Sequence, residues 1–244
     1  MGRSVVLPKG IGAERRRLDG DTVDEVALQV LFDVAGIARD PALEDWSARA
    51  REQFFARPYW DAAGKRHAAS ALPVGAAIFP GAFDPPHEGH LALARETGTA
   101  LPAVFAICAT PPHKRALSVG DMLRRAKLLA GRDRLFTEGD PLYLDKARRF
   151  PGRTFLLGTD ALLRMLDPRW GTPVEPMLAE LAQLGTRFRV SARLVEGVLV
   201  TPDEVIAGVA PEHRELFESV PGRWDVSSSE VRERVFRGEE ARCA

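Results

Sequence analysis

Ala76-Ala-Ile-Phe-Pro-Gly-Ala-Phe-Asp-Pro-Pro-His-Glu-Gly-His90 is the stretch on which the fold turns. Its first part, Ala76-Ala-Ile-Phe79, is a short apolar run of the kind that forms a buried strand, and turn residues stop it. A helix follows from about His87. Gly81 permits a close backbone approach to a ligand, and Pro85 and Pro86 stiffen the turn by fixing φ. His87 and His90 are three residues apart, so once helical they project on one face, with Gly89 keeping that face low. The N–H groups and dipole of a helix start favour anions, and two imidazoles there can bond phosphate oxygens and stabilise developing charge. A zinc pair is the competing reading. Zinc wants a third His, Cys or carboxylate nearby, and its helical histidines are usually four apart.

Downstream, strand and helix signals keep alternating. Val104–Ala109 is a second buried strand, and 119–131 a second helix. Thr154-Phe-Leu-Leu-Gly158 is a third strand, with a helix from near Asp160. A helix through Met177–Leu184 precedes a fourth strand, Arg187–Ser191, and Trp224-Asp-Val226 leads into a last helix over 228–237. Such alternation predicts an α/β fold, a doubly wound parallel sheet covered on both faces. Ligands of such sheets gather where strands end and strand order reverses. Each motif below falls on a strand-to-helix turn.

Upstream the pattern differs. Residues 22–39 predict a helix opened by the capping box Thr22 and Glu25, with Val23, Val26, Ala27, Val30, Leu31 and Val34 at helical spacing. A second helix starts at Asp40-Pro41 and runs towards Pro58, its apolar stripe being Leu43, Trp46, Ala50 and Phe54. Residues 58–75, mixed in composition and punctuated by Pro and Gly, read as a linker with His67 solvated. The expected division is therefore a helical extension and linker over 1–74 and a main domain over 75–240. The stripes of 22–57 suit packing against each other or on the main domain, and offer a contact to an upstream domain or a second copy.

Composition narrows the partners. The 34 basic and 34 acidic residues cancel, so no global field recruits nucleic acid or an anionic membrane, and anion affinity must be local. The two cysteines, Cys108 and Cys243, cannot build a disulfide framework or a thiolate metal site. No signal-peptide region or run of ~20 apolar residues occurs, which sets the expectation of a cytoplasmic protein.

Three further segments bear on chemistry. Asp225-Val-Ser-Ser-Ser-Glu-Val-Arg-Glu-Arg234 opens a helix with serines and sets Arg232 about one turn in, which suits a di- or triphosphate. Pro111-Pro-His-Lys114 follows the second strand, and Lys114 there can act as a mobile phosphate counter-charge. Gly158-Thr-Asp160 ends the third strand with a carboxylate placed to accept from ribose hydroxyls or to cap the next helix.

Taken together, these segments resemble the HxGH nucleotidyltransferases, the cytidylyltransferase-like superfamily with its Rossmann-like sheet. Gly81-Ala-Phe-Asp-Pro-Pro-His-Glu-Gly-His90 is similar to the nicotinate- and nicotinamide-mononucleotide adenylyltransferases in particular, as is Pro111-Pro-His-Lys114. Over residues 76–237 the resemblance implies transfer of AMP from ATP to a pyridine mononucleotide with release of pyrophosphate. It implies His87, His90, Lys114 and Arg232 as catalytic groups. Gly81, Ala82, Phe83, Asp160, Ser227 and Ser228 join them at the ATP site, and Lys114, Trp170 and Arg193 face the mononucleotide. Mg²⁺ is expected on the phosphates, with no protein ligand. Departures are Pro80, which replaces a glycine and removes one N–H, and Met122-Leu-Arg-Arg125, out of register with the family's pattern. Other phosphate acceptors, CTP as donor, and a non-catalytic nucleotide-binding module are the alternatives.

Overall fold

The structure, a computed structural model, describes residues 41–98, 100–112, 115–170 and 173–223, with Val231 and Glu233. The helix expected over 22–39 lies outside these residues. So does the segment 224–237, apart from Val231 and Glu233, which are helical.

Helix α1 (Pro41–Ala56) comes first, followed by two short strands, β1 (Tyr59–Trp60) and β2 (Arg66–His67). The alternating series then runs β3 (Ile78–Pro80), α2 (Glu88–Leu93), β4 (Val104–Cys108), α3 (Val119–Leu128), β5 (Arg134–Thr137) and α4 (Tyr143–Arg149). It continues with β6 (Thr154–Gly158), α5 (Thr159–Met165), α6 (Val174–Gln183), β7 (Arg187–Val195), β8 (Val198–Val200), α7 (Pro202–Ala207) and β9 (Phe217–Arg223). Six of the strands are parallel neighbours in the order β5-β4-β3-β6-β7-β9. This is the expected Rossmann-like order: β3, first of the six in sequence, lies in the middle, and the direction of winding reverses between β3 and β6. β1 and β8 pair antiparallel, with β5 and β7 respectively, so the sheet is mixed at its margins.

Side chains alternate along each strand and build two cores. Ile78, Val104, Ala106, Phe155, Leu157, Phe188 and Val190 face one side, where Leu144, Leu162, Leu178 and Leu181 of α4, α5 and α6 cover them. Phe79, Phe105, Ile107, Phe136 and Leu156 face the other, under Phe54 of α1, Leu93 of α2 and Met122 of α3. A parallel sheet needs both covers, which is why its strands read as near-continuous apolar runs.

The stretch 58–75 is not a linker. Tyr59 and Trp60 pair with Leu135 and Arg134 of β5, and the Phe136 N–H donates to the Pro58 carbonyl at 3.0 Å. Gly64, at φ 86°, makes the tight turn that brings β2 back onto β1. The Pro, Gly and polar composition thus belongs to a small edge hairpin, and Trp60 packs on Phe54 and Phe136. His67, expected in a solvated loop, pairs with Asp61 at 2.8 Å and lies against Tyr59. Among the described residues no helix is long and apolar enough to cross a membrane.

Candidate active site

The site is built where β3 and β6 end. β3 closes at Pro80, and the next N–H, that of Gly81, is still bonded to the Ala106 carbonyl at 3.0 Å. A proline at the last position of a strand costs the ladder little. The chain then folds back at Phe83, whose φ of 48° is left-handed. The Phe83 ring is fully buried among Phe79, Phe105 and His90. A Cβ on Gly81 would meet that ring at 2.6 Å. Glycine is required here by Phe83, not by a ligand on that side, and Phe83, expected at the nucleotide site, offers a ligand only backbone. Ala82 is exposed beside it.

Two arginines of α3 hold this turn. Arg125, buried, donates to the Ala82 carbonyl at 2.7 Å and to Asp84 at 3.3 Å, while Arg124 pairs with the other Asp84 oxygen at 2.6 Å. Neither was foreseen as a site residue. Charged side chains in an amphipathic helix give no sequence signal that distinguishes an inward brace from a solvated face.

His87 precedes α2 as its N-cap residue, in extended backbone, with only 7% of its surface exposed. Its backbone N–H donates to Nδ1 of His90 at 3.3 Å, and the two rings stack at 3.7 Å between centroids. Burial pushes the His90 imidazole down to about 3, and the neighbouring His87 and the positive Arg193 push the same way. His90 is therefore neutral at physiological pH. With Nδ1 accepting, its proton sits on Nε2, which is left as a hydrogen-bond donor. α2 spans only six residues. Its dipole is correspondingly small, and the imidazoles rather than the helix supply most of the site's character.

Across the crevice, Gly158 ends β6 and serves as N-cap of α5, so Asp160 is not the cap but the second residue of the helix. One Asp160 oxygen bonds Arg164 at 2.6 Å, and the other lies 3.9 Å from Nε of Arg193. The Arg193 stem covers Gly158, where a Cβ would come within 2.5 Å of it. Tyr143 of α4 is a further neighbour missed in the sequence. Burial raises its phenol well above the usual range, and the Asp160 carboxylate adds to this. His87, His90, Asp160 and Arg193 are thus brought together from β3, β6 and β7. Trp170 closes a 3-10 turn beyond the other end of α5, its N–H bonded to the Asp167 carbonyl at 3.0 Å. Lys114, Ser227, Ser228 and Arg232 lie outside the described residues. Among those described, the one His and carboxylate cluster compact enough for a metal is Glu175, Glu212 and His213, none of them an expected site residue.

The profile of the cytidylyltransferase-like family matches residues 78–234. Among individual proteins, a probable nicotinate-nucleotide adenylyltransferase of Thermomicrobium roseum is 30% identical over 186 residues, covering 66% of this chain and 80% of its own. Proteins of the same printed name from Roseiflexus sp. and Bordetella petrii are 28% and 31% identical, covering 69% and 65% of this chain and 88% and 85% of theirs. No solved structure matches the chain.

Proposed function

We propose that this chain, which belongs to the cytidylyltransferase-like nucleotidyltransferase family, transfers AMP from ATP to nicotinate mononucleotide and releases pyrophosphate. The observation that carries the reading is the stacked His87–His90 pair, with His90 held neutral and Nδ1 occupied, which leaves the proton on Nε2 as a donor. A neutral imidazole with its proton fixed on Nε2 can donate to a phosphate oxygen both before and during transfer without first gaining a proton. Nicotinate, rather than nicotinamide, is the acceptor in the names of the three relatives, all probable nicotinate-nucleotide adenylyltransferases.

In this scheme a phosphate oxygen of the mononucleotide attacks the α-phosphorus of ATP in line. The new P–O bond forms as the bond from the α-phosphorus to the bridging oxygen breaks, and pyrophosphate leaves with the electron pair. No covalent enzyme intermediate is needed. His90 and His87 hold α-phosphate oxygens, Arg232 with Ser227 and Ser228 holds the outgoing phosphates, and Lys114 neutralises charge between the substrates. Gly81 and Ala82 border the nucleotide with their backbone. Asp160 accepts from the ribose, and Arg193 and Trp170 border the mononucleotide.

The donors fit an anionic ligand better than a protein-held cation. Beside His90 stands the Arg193 guanidinium, and the Asp160 carboxylate near that arginine is already shared between Arg164 and Arg193. Mg²⁺, bound to the phosphates and water, would neutralise part of their charge.

Purified full-length chain given ATP or CTP with nicotinate mononucleotide, nicotinamide mononucleotide, phosphopantetheine or glycerol phosphate tests this. Deamido-NAD and pyrophosphate from ATP and nicotinate mononucleotide are expected. Dinucleotide formation with neither pyridine mononucleotide would end the pyridine reading, and nucleotide binding without pyrophosphate release would end the catalytic one.

A further inference from the structure

β7 changes partners along its length. Up to Val190 it lies between β6 and β9 in parallel register, then the register with β9 shifts before Ala192, and from Arg193 onward it pairs antiparallel with β8. Arg193 is therefore the first residue of the β7–β8 hairpin, opposite Val200. At this junction the Thr159 hydroxyl enters the ladder. Its Oγ1 accepts from the Arg193 N–H at 3.0 Å and donates to the Val200 carbonyl at 3.1 Å. Thr159 has no solvent-exposed surface, so water has little access from its side to take over either bond. A β-branched side chain holds χ1 tightly, which pre-aims the hydroxyl.

The two residues flanking Thr159 act on the side chain of Arg193. Gly158 leaves room for its stem: an added Cβ would stand 2.5 Å from Arg193 Cγ and 2.6 Å from the Asp160 Oδ1. Asp160 lies 3.9 Å from its Nε. Gly158, Thr159 and Asp160 thus address, in order, the stem, backbone and head of one arginine.

We propose that Thr159 is a positioning residue, its hydroxyl bridging Arg193 and Val200 so that the Arg193 guanidinium is held at the crevice to engage the phosphate of the acceptor mononucleotide. The acceptor part rests on the adenylyltransferase reading above; the bridge itself does not. Thr159 touches no substrate and acts only through Arg193. Orientation sets the value of such a cation, since a charge-assisted hydrogen bond to phosphate weakens as its geometry is lost and the ligand then binds less tightly.

The test uses full-length Thr159→Val, which keeps the shape and removes the hydroxyl, and Thr159→Ser, which keeps the hydroxyl. With Thr159→Val the KM for the mononucleotide is expected to rise about tenfold while kcat and the KM for ATP stay within about twofold; Thr159→Ser is expected to stay near wild type. Added to Arg193→Ala, Thr159→Val should leave the mononucleotide KM unchanged. A uniform loss in all three constants, no change in Thr159→Val, or equal damage in Thr159→Ser overturns the proposal. Should Thr159→Val not fold, Gly158→Ala takes its place: it leaves the hydroxyl but displaces the Arg193 stem and crowds Asp160, and a rise of about tenfold in the mononucleotide KM is expected whether or not the KM for ATP also moves. An unaltered KM there overturns the positioning of Arg193. If wild-type protein makes no dinucleotide at all, the functional reading fails, and amide hydrogen exchange decides the bridge alone. Exchange at the Arg193 amide about tenfold faster in Thr159→Val than in wild type and Thr159→Ser upholds it, and equal exchange in all three overturns it.

Discussion

His87 donates its backbone N–H to Nδ1 of His90, and that one bond fixes the tautomer of the second histidine, with its proton on Nε2. The two rings, from the N-cap residue and the third residue of the helix, stack at 3.7 Å between centroids.

For His90 the expected kinetic result is a fall of about 10²–10³ in turnover on replacement by Ala, the size seen for loss of one transition-state donor. Single-turnover rates with saturating ATP measure it.

The depressed His90 pKa also has a stability consequence. The folded state resists protonation down to about pH 3, whereas an unfolded histidine takes its proton near 6.5. Between those values the unfolded chain binds more protons, so this group's contribution to stability falls as pH falls and is fully present only above about 6.5. Allowing for an imidazole at the rim of the core, the loss from pH 7 to pH 5 should be about 1 kcal/mol greater in wild type than in His90→Asn. Urea unfolding at the two pH values compares them.

Arg124 and Arg125 share Asp84 and should differ sharply. Arg125→Met removes a buried guanidinium from the Ala82 carbonyl and from Asp84, and is expected to cost about 2–4 kcal/mol. Arg124→Met, at a half-exposed side chain, should cost under about 1 kcal/mol. Denaturant midpoints at fixed pH separate them.

Gly81→Ala forces a methyl group into the Phe83 ring and should destabilise by about 1–3 kcal/mol. Introducing Phe83→Leu beside it should recover part of that loss, because the two residues are in contact and their effects are coupled. A strictly additive double variant would place the strain elsewhere.

Phe54 is 1% exposed and meets Phe55, Trp60 and Phe136 edge-on or tilted, at the junction of α1, β1 and β5. Phe54→Ala should cost about 3–5 kcal/mol in a single unfolding transition. A separate low-temperature melt of α1 with little effect on the main transition would show instead that the helix is independent.

The central strands were legible in sequence because each is an apolar run bounded by turn residues, and β6 begins and ends where its composition does. β5 was missed. Its first residue is Arg134, and Gly131-Arg-Asp-Arg134 has the look of a polar loop. The guanidinium is tolerated inside because the Ala126 and Asp61 carbonyls accept from it at 2.8 and 3.0 Å and the Trp60 ring lies 5.6 Å away. Asp61 and Trp60 are far away in sequence, and no local pattern announces them. β9 was missed for another reason, since Pro221 and Gly222 within it read as a break, which an edge position accommodates. At the site, His87, His90 and Asp160 could be found from short motifs. The placement of Phe83 inside the core could not, because it depends on a left-handed turn that the sequence does not encode through glycine.

The hairpin of β1 and β2 settles where the molecule can safely be shortened. β5 would otherwise present an open row of N–H and C=O groups at the margin of the sheet, and β1 occupies that row. A chain begun at residue 75, the point at which composition changes, would uncover both this row and the Phe136 ring. Such a truncation is expected to self-associate more than the intact chain does, visible as a shift to large species in light scattering even at temperatures where the remaining sheet stays folded. The first strands therefore act as a sheath against unwanted strand exchange between neighbouring copies.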